Sequence, residues 1–105
     1  MDYNAKLREA KLLIDRGQYT LSVVVLGNLL ENLYVDFYQE VMGKVPPGVR
    51  QVMVQRELDF VAKGDKAARD KGFAGLPLGG KAKFFYDNRV VEEGERILNR
   101  PLPQF

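Results

Sequence analysis

The chain has 105 residues, 46% of them apolar and 29% charged, with a net charge of +2 and neither histidine nor cysteine. Those values exclude a disordered chain, a disulfide scaffold, thiolate chemistry and every mechanism that needs an imidazole. They suit one globular domain, residues 1–105, and a net charge this small gives no reason to invoke a nucleic-acid or membrane partner.

The N-terminal segment MDYNAKLREAK lacks the apolar core of a signal peptide. A cytoplasmic protein is therefore expected. Asn4 is the expected N-cap of a first helix, Ala5 to Arg16, which places Leu7, Ala10, Leu13 and Ile14 on one face. Gly17 is expected to close it in the left-handed conformation.

The second helix, from Thr20 to about Met42, is the most unusual element. The stretch from Gly17 to Gly43 is apolar on nearly every side. Val23-Val24-Val25 favours a strand locally. Leu26, Leu29, Leu30, Leu33, Phe37 and Val41 nevertheless continue a helical period for four turns, which decides for helix. A helix so apolar must lie at the centre of a bundle, or be half of one that another chain completes. Asn28, Glu31 and Asn32 interrupt it at i, i+3 and i+4, the spacing of one polar strip. Its longest uninterrupted apolar run, Val23 to Leu26, is far too short to span a membrane.

Val45-Pro46-Pro47-Gly48 is the clearest break in the chain. A third helix, Val49 to Lys63, carries two apolar stripes and stops at Gly64. Asp65 to Lys71 is a short charged helix or loop, and Phe73 to Gly80 a Gly/Pro-rich connection. A last helix is expected over Lys81 to Asn99, weakened by Gly94 at about 1 kcal/mol relative to alanine. The fold class is therefore all-α, an up-down bundle of four main helices, expected to be dimeric.

Three constellations bear on chemistry. Gly75-Leu76-Pro77-Leu78-Gly79-Gly80-Lys81-Ala82 spells GxxxxGK, but Ala82 stands where a phosphate loop needs Ser or Thr for magnesium, and no strand precedes it. What survives is a weaker anion site, Gly79, Gly80 and Lys81 opening a helix, with Arg89 and Arg96 further along. Glu92, Glu93 and Glu95 cluster, but a bundle di-metal site needs Glu-x-x-His and the chain has no histidine. No metal ligand, no catalytic residue and no cofactor is expected. Tyr34 and Tyr38 lie one turn apart, a spacing that belongs to core or dimer contacts more often than to a base-stacking platform.

Glu9 to Tyr19, followed by Val25 to Tyr34, resembles the first helical hairpin of HEPN domains, and Leu76 to Lys81 is similar to the Leu-x-Leu-Gly turn that opens a later helix there. HEPN domains are small helical bundles of prokaryotic toxin–antitoxin, abortive-infection and nucleotidyltransferase-linked systems. The resemblance implies a four-helix bundle that dimerises. Many members are metal-independent ribonucleases with an Arg-x4-6-His motif near the end of the last helix. Arg89, Arg96 and Arg100 are available for phosphate, but without histidine the ribonuclease activity is not carried over. Either this is a non-catalytic member or the segment bearing the motif is missing. The expected function is a non-catalytic interaction module, a homodimer with Leu26, Leu30, Leu33, Tyr34, Phe37 and Tyr38 along its seam and a protein partner. The alternative is an RNA- or nucleotide-binding component that uses a basic C-terminal helix.

Overall fold

A computed structural model describes residues 2–99; Arg100 lies outside them. The described chain is all-helical, with six α-helices and one 3-10 turn. Helix α1 is Tyr3–Asp15, α2 Tyr19–Lys44, α3 Pro47–Val61, α4 Lys66–Lys71, α5 Leu78–Asp87 and α6 Val90–Leu98, with the 3-10 turn at Gly72–Gly75.

The ends of these helices follow from local chemistry. Asp2, not Asn4, caps α1, its carboxylate accepting from the Ala5 amide at 3.0 Å. Asp65 does the same for α4 through the Ala68 amide at 3.1 Å. At the end of α1, the Gln18 amide donates to the Leu13 carbonyl at 2.8 Å and the Gly17 amide to Ile14 at 2.9 Å. This is a Schellman closure, and Gly17 takes the left-handed φ of 74° it requires. Helix α2 runs through Gly43 and ends only at the Val45–Pro46 break, where the proline fits the start of α3.

The expected helix from Lys81 to Asn99 is two helices. Asn88 and Arg89 break it, and Arg89 adopts φ 53° and ψ 38°, a left-handed conformation uncommon for a side chain of this size. The expectation of one continuous last helix fails here because periodicity continues across a turn that only backbone geometry reveals.

Packing divides the chain into two units, Met1–Leu33 and Tyr34–Phe105. In the first, α1 and the N-terminal part of α2 form a hairpin. Ala10, Ser22, Leu29 and Leu33 are buried, and the Tyr3 hydroxyl donates to the Asn32 carbonyl at 3.5 Å. The second unit holds an aromatic core. Phe84 lies within 5.5 to 5.6 Å, ring centre to ring centre, of Tyr38, Phe60 and Phe73. Phe85 stacks on Phe73 at 5.3 Å and meets Tyr34 edge-on at 4.8 Å.

Helix α6 reaches this core through Gly94. A Cβ at that position would stand 2.6 Å from Val41 Cγ2 and 2.7 Å from Phe37 Cε1. The residue that reads as a weakness in the helix is what lets α6 approach α2. Gly94→Ala is therefore expected to destabilise by about 1–3 kcal/mol, the range for an overpacked core, although alanine is the better helix former. A urea titration that found the variant more stable would show that α6 does not sit on Phe37 and Val41.

Candidate functional site

The GxxxxGK segment resolves into a turn held by its own lysine. Lys81 is 2% exposed. Its Nζ donates to the Ala74 carbonyl at 3.1 Å and to the Leu76 carbonyl, both at the close of the 3-10 turn. The ammonium thus supplies donors to carbonyls that the turn leaves unpaired. Burial of a charged group is tolerable only with such hydrogen bonds. Gly79 lies exposed and Gly80 half-buried at the start of α5. The lysine needed for an anion site points away from that start and into the turn.

The other expected anion contacts are not gathered around it. Arg96 is exposed and pairs with Glu93 at 2.8 Å, one turn away on α6. Arg89 occupies the α5–α6 junction. Helix α6 carries Glu92, Glu93 and Glu95 against Arg96 alone, so within the described residues the C-terminal helix is acidic rather than basic. Among the described residues no group of three acidic or other ligating side chains is placed to hold a metal ion, and no helix is long and apolar enough to cross a membrane.

The expected seam residues separate by depth. Leu33, Phe37 and Tyr38 are buried, so they offer little to a second chain. Leu26 and Tyr34 are half-buried, Tyr34 against Phe85. Leu30 is exposed. The exposed apolar surface of α2 begins earlier, where Tyr19, Leu21, Val23 and Val24 stand 54 to 66% exposed, with Leu12 and Ile14 of α1 also open to solvent. From Gly17 through Leu30 there is no charged residue.

Tyr38 holds the one buried side-chain polar atom without a hydrogen-bond partner among the described residues, its hydroxyl. Burial first, and then the nearby Glu57 carboxylate, pushes this phenol well above the ordinary 10.0. The unfolded chain therefore loses the proton above pH 10 while the folded chain keeps it, so this contribution to stability is intact below pH 10 and lost as the pH rises. Between pH 10 and 11 the wild type is expected to lose about 1 kcal/mol more than Tyr38→Phe, because the unfolded phenol is already partly ionised at pH 10. Parallel urea titrations at the two pH values check this, and identical slopes would contradict it.

A second feature had no signal in the sequence. In the second unit, α3 and α6 enclose a groove of about 400 Å³ lined by Val41, Val45, Val49, Val52, Met53, Val90 and Ile97. Gly48, Arg56, Asn88, Arg89 and Glu93 complete its lining. Val52 and Met53 read as one stripe on α3, and Val90 and Ile97 as another on the last helix. Both stripes look like core until the turn at Asn88 and Arg89 sets them around an opening. Neither Arg56 nor Arg89 has an ion-pair partner among the described residues.

No family model matches the chain, and comparison with curated proteins and solved structures finds no match.

Proposed function

We propose that the chain is a non-catalytic helical interaction module, a cytoplasmic homodimer whose seam is the N-terminal part of α2. The supporting observation is the charge-free run from Gly17 through Leu30, on which Tyr19, Leu21, Val23 and Val24 are exposed. A twofold contact sets a patch against itself, so like charges would face each other; a patch without charge avoids that repulsion. Exposed apolar surface of this extent marks an interaction site more often than an idle surface. Two hairpins, each made of α1 and the first half of α2, would form an up-down four-helix bundle across the twofold. The HEPN resemblance gives such a dimer a setting, beside a protein partner in a prokaryotic toxin–antitoxin or nucleotidyltransferase-linked system.

Sedimentation equilibrium at micromolar concentration tests the reading. The wild type is expected to be a dimer. Val23→Glu lies on an exposed helix position, should leave the helical circular dichroism unchanged, and should raise the dimer Kd at least tenfold, about 1.4 kcal/mol. A monomeric wild type would end this proposal.

A further inference from the structure

We infer that the groove between α3 and α6 binds a single-tailed apolar carboxylate. The inference is independent of the dimer and concerns a different face. The groove is about 400 Å³ in volume, within the range of small-ligand sites, and its walls are mainly valine and isoleucine. Val49 and Val52, on one wall, are almost half-exposed, so the cleft is open and its apolar lining meets water. An aliphatic tail displaces that water favourably.

Charge selects the head group. Two guanidiniums, Arg56 and Arg89, line the groove without ion-pair partners among the described residues. The single carboxylate of the lining, Glu93, is neutralised by Arg96 at 2.8 Å. The lining therefore carries an uncompensated positive charge beside an oily wall. Guanidinium recognises carboxylate with two parallel hydrogen bonds. Arg89 also sits at a φ of 53°. A non-glycine residue held in that region is costly to keep, and such positions concentrate at ligand clamps. A macromolecular interface is the weaker occupant, because a stable one covers about 800 Å² on each partner, far more than a cleft this size presents.

The test uses the full chain with methyl-labelled valine and isoleucine, titrated with octanoate, decanoate and decylamine. Decanoate is expected to shift the methyl resonances of Val45, Val52, Val90 and Ile97 saturably, with decylamine at least tenfold weaker. Affinity should rise about fourfold for each methylene added between octanoate and decanoate. Two variants separate binding from folding. Arg89→Gly relieves the left-handed backbone and so folds at least as well, and Arg56→Gln changes an exposed helix position; each should weaken decanoate at least tenfold. Equal binding of decylamine, or unchanged affinity in both variants, overturns the inference. So does a shift of the same methyls on dilution of the protein alone, which would mean that a second copy covers the groove. The Val23→Glu monomer should bind decanoate as the wild type does, which keeps this result separate from the dimer proposal.

Discussion

Phe84→Ala is expected to cost about 3–5 kcal/mol, the most of any single truncation in this chain. Phe84 has no exposed surface. Its ring meets Tyr38 at 86° and Phe60 at 78°, both edge-on, with Phe73 tilted on a third side. Those three rings come from α2, α3 and the 3-10 turn, so one side chain joins three elements. Alanine removes the transfer energy of the ring and leaves a cavity whose walls, being aromatic and held by one another, cannot collapse to fill it. A domain of this size loses about 4–8 °C of melting temperature per kcal/mol, so a fall of 12 °C or more should appear in a thermal scan. Total stability is typically only about 5–15 kcal/mol, so the variant should also approach partial unfolding at ambient temperature. A shift of only a few degrees would show that Phe84 is not central to the core.

Lys81→Ala is expected to cost about 3 kcal/mol or more, an unusual result for a lysine. Substitution of a surface lysine generally changes stability by less than about 0.5 kcal/mol. Here the side chain is buried and its ammonium serves the carbonyls of Ala74 and Leu76. Each buried carbonyl left without a donor costs about 1–3 kcal/mol, and loss of the apolar stem adds to that. Lys81→Met separates the two contributions, because it keeps the stem and removes only the donors. The methionine variant should fall between wild type and alanine. Exposed Lys83, which pairs with Asp87 at 2.8 Å on the same helix, is the control and should respond weakly to alanine. Equal, small effects at positions 81 and 83 would mean that the turn does not depend on the ammonium.

These two side chains also show how far residue patterns reach. Phe84 is a large apolar side chain within a helical segment, and its burial is what that residue type leads one to expect. Lys81 reads as a phosphate-contacting cation because GxxxxGK is defined by residue types and spacing. The direction of the ammonium depends on where the preceding turn exposes its carbonyls, and no pattern of residue types states that.

The same division runs through α2. Its helicity is written in the spacing of Leu26, Leu29, Leu33, Phe37 and Val41, which outweighs three consecutive β-branched residues. The helix ends are equally local: Gly17 after α1 and the Asp65 cap before α4 act through hydrogen bonds spanning a few residues, and Pro46 and Pro47 after α2 act by lacking the amide donors a helix needs. How much of an apolar helix is covered is a different kind of quantity. Leu33 and Val23 are both apolar and both helical, yet one is 6% exposed and the other 66%. Amino-acid order therefore settled the all-α class, most helix boundaries and the absence of imidazole and thiol chemistry. Tertiary packing alone settled that the N-terminal part of α2 faces outward, that Gly94 is a contact, and that Arg56 and Arg89 border an apolar cleft. The physical reason is range: caps and periods act over one to four residues, whereas burial depends on which distant segments arrive and which do not.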